Sequence, residues 1–302
     1  AIQFIEITAA NAGQRLDNFL LSLDKNIPKS RLYRALRKGE VRVNKGRKKQ
    51  TYKLVLGDIV RVPPLHSEQK TVQTTVSDSL STLIKDNILY EDDALLILNK
   101  PAGIAVHAGS GIKQGIIEAM RIIKAELPFL ELVHRLDRDT SGCLLSAKSR
   151  PSLLHLQQQM LRHDINKRYL TLLKGNWSSG EKTVTAPMQK NTLSSGERIV
   201  KIDPDGKHAE TLFKPLSSYQ QAQLTEVTLF TGRTHQIRVH AAHIGHPLAG
   251  DDKYGDRDFN KTMKQQGLSR LFLHAWKLGI THPSTEQVIN IEAPIPNALQ
   301  QL

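Results

Sequence analysis

The 302-residue sequence predicts an α+β protein of two domains, on three observations. A chain of this length exceeds one ordinary small core and is long enough for two domains, one of them sizeable. Segments with helical spacing and segments with strand alternation occur on both sides of a polar stretch opened by Pro63-Pro64, which reads as an extended linker. Positive charge gathers on one side of that stretch: residues 25–61 hold thirteen Lys and Arg against two acids, nearly the whole of the chain's net +13. The expected organisation is a basic domain over 1–62, a linker over 63–84 and a larger domain over 85–302.

Apolar residues make up 39% and charged residues 24%, the composition of a soluble globular protein. No apolar run reaches the length of a bilayer span, and the opening Ala1-Ile2-Gln3-Phe4-Ile5-Glu6 lacks the basic and then apolar pattern of an export signal. Cys143, the single cysteine, excludes an internal disulfide and a multi-cysteine zinc site. It also fits a reducing compartment, so the expectation is a cytoplasmic protein without a membrane partner. The basic excess points instead to a polyanion.

In the first domain Leu16, Phe19 and Leu20 fall at helical spacing and form one apolar stripe. Pro28 breaks the chain, and Ser30 is placed to cap a second helix over 31–38, with Leu32 and Leu36 inward, its arginines outward and Gly39 as its stop. Val41-Arg42-Val43-Asn44 alternates like a strand, Asn44-Lys45-Gly46 turns, and 54–62 reads as strand, turn, strand. Arg31, Arg34, Arg37, Lys38, Arg42, Lys45, Arg47, Lys48 and Lys49 then make one basic face against which the phosphates of a folded RNA can lie. Arg15-Leu16-Asp17, Ser30-Arg31, Arg37-Lys38-Gly39, Val41 to Asn44 and Gly57-Asp58 together resemble the S4 RNA-binding domain.

The larger domain opens with two tightly joined strands, 88–90 and 94–98, and Asn99-Lys100-Pro101 ends the second. A glycine-rich loop over 109–115 precedes a helical pattern at Ile116, Ile117, Met120 and Ile123, but its spacing is neither the dinucleotide fingerprint nor a P-loop. Next comes His134-Arg135-Leu136-Asp137-Arg138-Asp139-Thr140-Ser141-Gly142, a polar loop between apolar flanks. Such a loop holds catalytic groups on a rigid scaffold, or else pairs its own charges in water. Its residues alone leave both readings open and do not rank Asp137 against Asp139.

Beyond it lie a strand over 144–147 and an amphipathic helix marked by Leu153, Leu156 and Met160. In the strand 167–173, Tyr169 shares a face with Thr171 and Leu173 and either packs or lines a cavity with its hydroxyl. A strand over 224–229 leads to a helix over 233–244, closed by Gly245 and Pro247. Histidines at 235, 240, 243 and 246 invite a metal, yet no zincin motif accompanies them, and hydrogen bonding to RNA or within the fold is favoured. An acidic turn over 250–256 lacks the calcium-loop pattern, and strands over 271–275 and 288–292 finish the sheet.

His134-Arg135-Leu136-Asp137-x-x-Thr140-Ser141-Gly142, with Asn99-Lys100-Pro101-x-Gly103, Lys167-x-Tyr169, Gly232-Arg233-Thr234-His235-Gln236-Ile237-Arg238 and Asp252-x-Tyr254-Gly255, resembles the RluA family of pseudouridine synthases. The likeness spans essentially the whole chain. With the S4-like module and residues 129–133 leading into the loop, it is strongest to members acting on the ribosomal large subunit. The resemblance implies a catalytic domain with a mixed, largely antiparallel sheet flanked by helices and loops, and a monomer acting on 23S ribosomal RNA. It implies that Asp137 is the catalytic aspartate, that Tyr169 lies near the target base, and that Arg238 pairs with the aspartate. Ile237 matches the aliphatic residue beneath the base, Arg135 the residue filling the space that a flipped nucleotide vacates. His134, Thr140 and Gln236 complete the implied substrate-binding set. Cys143 and Ser146 stand where aliphatic residues are usual.

Turning uridine into pseudouridine breaks the N1–C1′ bond, rotates the uracil and rejoins it through C5, with no net oxidation. The expectation is no cofactor and no metal. A carboxylate can attack the sugar or the ring, or help remove a sugar proton, and a guanidinium partner favours its charged form. A kinase-like reading fails for want of a downstream Asp-Phe-Gly. The remaining alternative is a non-catalytic S4-type RNA-binding or ribosome-assembly factor.

Overall fold

The structure, a computed structural model, describes residues 2–9, 11–23, 27, 29–64, 75–108, 114–177, 180–192 and 198–301. The chain folds as two units, Ala1–Thr74 and Thr75–Leu302. The first contains β1 (Gln3–Glu6), α1 (Leu16–Leu23), α2 (Lys29–Lys38), β2 (Arg42–Val43) and β3 (Ile59–Val62), with the strands antiparallel in the order β1-β3-β2. Leu16, Phe19, Leu20, Leu32 and Leu36 are all buried, as their spacing predicts. Asn44 and Lys45 take positive φ, 50° and 65°, and Val43 and Gly46 exchange two 2.9 Å backbone bonds, so the predicted turn is a two-residue hairpin loop. The expected strand at 54–57 is instead a loop tied to Gly13 and Gln14 through both backbone groups of Leu54.

Asp58 locks this unit. Its buried carboxylate accepts from Asn44 Nδ2 at 2.7 Å, Tyr52 Oη at 3.1 Å and the Val55 amide at 2.9 Å. Burial alone would raise its pKa, but these donors outweigh burial and hold it below the usual carboxylate range.

The stretch 63–84, expected as linker, requires correction. Residues 65–74 lie outside the described residues, but Asp78–Asp86 forms α3, capped by Ser77 Oγ, with Ile84 buried in the core of the second unit. Leu80 and Ile84 stand four apart on one helical face, a spacing that the Ser- and Thr-rich composition obscures.

The second unit continues with β4 (Ile88–Glu91), β5 (Leu95–Lys100), α4 (Ile116–Ile123), β6 (Glu131–Leu132), β7 (Ser141–Ala147), α5 (Arg150–Arg162), β8 (Asn166–Lys174), β9 (Lys182–Thr185), β10 (Met188–Thr192), β11 (Arg198–Ile202), β12 (Glu210–Ser218), β13 (Ala222–Leu229), α6 (Gln236–His243), α7 (Arg257–Gln265), β14 (Leu273–Thr281), β15 (Val288–Glu292) and α8 (Asn297–Gln300). A ten-stranded mixed sheet runs β4-β5-β7-β14-β8-β13-β12-β9, with β15 beside β14 and β6 beside β7; β10 and β11 form a separate ribbon. Every pairing is antiparallel except β7 with β14, which meet for two residues only, Ser141 opposite His274 and Gly142 opposite Ala275.

Helices cover both faces, which explains the unbroken apolar runs of β5 and β7. Leu96, Leu98 and Leu144 pack with Ile116, Ile117 and Met120 of α4 and Ile237 of α6. Leu95, Ile97, Cys143 and Leu145 face the other way, against Leu153 and Leu156 of α5. Leu172 and Phe272 meet Phe259 and Met263 of α7.

Candidate active site

The polar loop between β6 and β7 is held by buried groups that leave the Asp137 side chain alone. Lys100, fully buried at the end of β5, donates from Nζ to the carbonyls of Pro101 (2.7 Å), Ile104 (2.8 Å) and Arg138 (2.9 Å). Burial pulls its pKa down to about 7, against the pull of Asp139 and Asp137. Arg270 Nη2 donates to Asp139 O at 3.3 Å and Ser141 Oγ at 2.9 Å. The Ser141 hydroxyl and Nδ1 of His274 are 2.8 Å apart, and His274 Nε2 faces Ala293 O at 3.2 Å. A carbonyl only accepts, so Nε2 carries the proton and Ser141 donates to Nδ1; burial drives this imidazole down to about 4 and keeps it neutral. Gly142 follows at φ 108°, where a Cβ would run into the backbone of Ala275 on β14.

Above β7, β14, β8 and β13 lies a cavity of about 340 Å³. It is lined by His134, Arg135, Asp137, Thr140, Tyr169, Gln236, Ile237 and Arg238, so all eight residues singled out for chemistry or substrate binding meet there. Tyr169 is buried on β8, where burial and then the Asp137 charge raise its hydroxyl pKa, so it remains protonated. Ile237 is buried on the first turn of α6 and closes the floor. Arg135 is exposed at the rim, Thr140 is buried with its amide on Asp137 O at 3.2 Å, and Asp139, at the surface, pairs with Arg138 at 3.2 Å.

The Asp137 carboxylate makes no hydrogen bond to a described residue; its ion-pair partner is His235, with Nε2 at 3.8 Å from Oδ2. His235 sits in the left-handed region at φ 56° and caps α6, which begins at Gln236 rather than at 233 as expected. Its Nδ1 lies 2.8 Å from Tyr254 Oη, whose oxygen accepts from the Val200 amide. A tyrosine proton donated to Nδ1 leaves the Nε2–H directed at the carboxylate, the tautomer that negative charge favours.

The expected pairing of Arg238 with Asp137 is corrected. Nε and Nη2 of Arg238 bond both oxygens of Asp251 at 2.7 Å, a bidentate pair 11% and 1% exposed, under the ring of Tyr254. Burial works against the arginine's charge, but Asp251 and then Asp137 favour it and raise its pKa. Asp137 therefore acts on Arg238 through space, while Nη1 keeps no partner among the described residues.

Gln236 is likewise not free for substrate. Its Oε1 accepts from Thr231 Oγ1 (2.7 Å) and the Arg233 amide (3.0 Å), and its Nε2 donates to Glu210 O and Thr211 Oγ1 (both 2.9 Å). Thr211 passes the chain to His240 Nδ1, and His240 Nε2 donates to Ala186 O. Every polar valence of that amide is used inside the protein, so it fixes the start of α6. His134 Nε2 accepts the Leu145 amide at 3.1 Å, and burial pushes this ring to about 4, so it is a neutral latch between loop and β7.

Of the basic residues singled out in the first unit, Arg34, Arg37, Lys38, Lys45, Arg47 and Lys49 are exposed. Arg31 pairs with Glu40 at 2.9 Å, Arg42 Nε donates to Gly39 O, and Lys48 lies over the Tyr52 ring. The described residues hold no group of three His, Cys, Asp or Glu side chains suited to a metal, and no helix long and apolar enough to cross a membrane. Gly109 to Lys113 of the glycine-rich loop lie outside the described residues.

A sequence model of the RNA pseudouridylate synthase family matches residues 94–243. The ribosomal large subunit pseudouridine synthase C of Yersinia pestis is 52% identical over 300 residues, covering 99% of this chain and 94% of that protein. The chain belongs to the RNA pseudouridylate synthase family. The protein of the same name from Escherichia coli K12 is 51% identical over 305 residues, covering 100% of this chain and 95% of that one. Among solved structures, human RNA pseudouridylate synthase domain containing 4 superposes with a TM-score of 0.61 at 25% identity, over 74% of this chain and 94% of that one. The larger unit thus carries the pseudouridine synthase fold, and the protein is an RNA pseudouridine synthase, which sets aside the non-catalytic alternative.

Proposed function

We propose that this synthase isomerises particular uridines of large-subunit (23S) ribosomal RNA, with Asp137 as the reactive carboxylate. One observation carries the assignment of Asp137: it is the cavity's acidic side chain, the two residues that follow it are pinned at their carbonyls by Lys100 and Arg270, and its carboxylate oxygens accept no hydrogen bond from a described residue. A stacked base must be flipped out of its helix to reach such a cavity. Tyr169 and Ile237 then offer it an aromatic and an aliphatic surface, and Arg135 at the rim fills the gap left in the RNA. Arg238, fixed by Asp251, keeps a positive field on the carboxylate while the N1–C1′ bond breaks and C5 replaces N1. His134, Thr140 and Gln236 hold the walls rather than the base.

The large-subunit substrate rests on the relatives' names and on the basic first unit, which we assign to the S4 type, working as an RNA clamp on a monomeric enzyme in the cytoplasm. The test is pseudouridine formation in a large-subunit RNA transcript by wild type and Asp137→Asn. The wild type forms pseudouridine at discrete positions and the variant forms none while still binding. Retained turnover in the variant overturns the role of Asp137, and modification confined to other RNAs overturns the substrate.

A further inference from the structure

Lys167 stands two residues before Tyr169 on β8, on the same face and about 6.6 Å away along the strand. Its side chain lines the cavity, is 9% exposed, and has no hydrogen bond or ion pair to any described residue. The contrast with Lys100, the other buried lysine among the described residues, is direct: its ammonium meets three carbonyls. The Lys167 ammonium is largely but not wholly withdrawn from water, since Ser146 Oγ is the one fully buried side-chain atom without a partner among the described residues. A largely desolvated cation that opens on the cavity with no protein partner is placed to meet an anion that arrives with the substrate.

A second, independent feature concerns the approach to that ammonium. Gly232 closes the same part of the cavity and is not among the positive-φ glycines, so its backbone does not call for glycine. A Cβ built on it would meet one thing within 4 Å, Lys167 Nζ at 3.9 Å. The missing side chain keeps open the space in front of the ammonium.

We infer that Lys167, reached past Gly232, is a binding site for a backbone phosphate flanking the flipped uridine. A nucleotide drawn into the cavity brings one formal anion on each side, its 5′ and 3′ phosphodiesters, and these are the RNA groups best able to replace the lost hydration of a lysine. Asp137 and Lys167 then grip the two ends of one nucleotide, the first at the glycosidic bond and the second at the backbone. The inference rests on the cavity being the uridine site. Burial lowers the pKa of Lys167, in keeping with an ammonium that lacks its counter-ion until RNA binds.

The experiment uses the full-length enzyme and RNA from cells lacking it, with its target uridines located by pseudouridine mapping. A target outside the large subunit would overturn the proposed substrate and leave this assay intact. Single-turnover kcat/KM of Lys167→Met is expected to fall about 10- to 100-fold with Lys167→Arg partly restoring it, and the log-log salt slope is expected to shrink by about 0.7–0.9. The melting temperature of Lys167→Met should not fall, since an unpaired buried charge is removed. Gly232→Ala should lower kcat/KM in the same direction. Synthetic RNAs with one neutral methylphosphonate 5′ or 3′ of the target uridine identify the phosphate: at one position wild type drops to the level of Lys167→Met, and the variant loses nothing more. Full activity of Lys167→Met, a loss of melting temperature that accounts for its lower rate, or equal losses for both enzymes at both phosphates would overturn the inference.

Discussion

Arg238 and Asp251 form a buried bidentate pair, 2.7 Å at each contact, with Asp137 outside it. The guanidinium whose charge acts on Asp137, the carboxylate proposed to react, is thus fixed by a different acid, thirteen positions along the chain. Asp251→Ala strands a buried cation and is expected to destabilise the fold by about 3–5 kcal/mol. In the fraction that folds, Arg238 turns towards Asp137, and single-turnover activity falls even where RNA binding is kept. Urea unfolding beside a rate measurement separates the two effects.

Acid should weaken the protein through His274. Its pKa is about 4 in the fold against an ordinary 6.5, so below pH 6.5 the unfolded chain takes up a proton that the folded state refuses. Stability from this group is full above 6.5 and is lost as pH falls towards 4, by at most about 3 kcal/mol. His134 adds a loss of the same sign in the same window. Urea unfolding at pH 7, 5.5 and 4.5 gives the slope, which His274→Gln should flatten while lowering stability throughout.

Gly142→Ala should be among the most damaging one-carbon changes available. The added Cβ meets the Ala275 backbone, and φ 108° is unfavourable for any L side chain. The expected cost is about 3 kcal/mol or more, with activity lost alongside stability because the contact lies at the exit of the catalytic loop. Chemical denaturation of the purified variant checks it.

Neutralising Arg34, Arg37 and Lys38 together with glutamine should leave folding nearly untouched, since all three are exposed. RNA affinity should fall across sequences, with a log-log salt slope smaller by about 2–3. Filter binding at several salt concentrations measures this, and an unchanged slope would remove α2 from the RNA contact.

Much of the site was legible because its chemistry is local. The nine-residue loop announces itself by polar residues between apolar flanks, and strand alternation puts Lys167 and Tyr169 on one face. What stayed hidden depends on residues remote in sequence. Arg270 reaches Ser141 across 129 positions, and nothing in its neighbourhood marks it as an anchor of the loop. The Arg238–Asp251 pair crosses from a helix into a turn that reads as a solvated acidic cluster. Strands β9 to β12 escaped because they are exposed over much of their length, so alternation is faint there. The start of α7 was signalled by Asp256, whose carboxylate caps Phe259, but the acidic turn drew the reading towards cations.

The two-residue parallel contact between β7 and β14 also fixes when the enzyme becomes active as it is made. Ser141 and Gly142 wait for His274 and Ala275, more than 130 residues later in synthesis, and Arg270 arrives with them. Pairings this distant form late in folding. A nascent chain that already displays Asp137, Tyr169 and Arg238 therefore still lacks the strand that fixes the loop, and catalytic competence comes only once β14 has emerged.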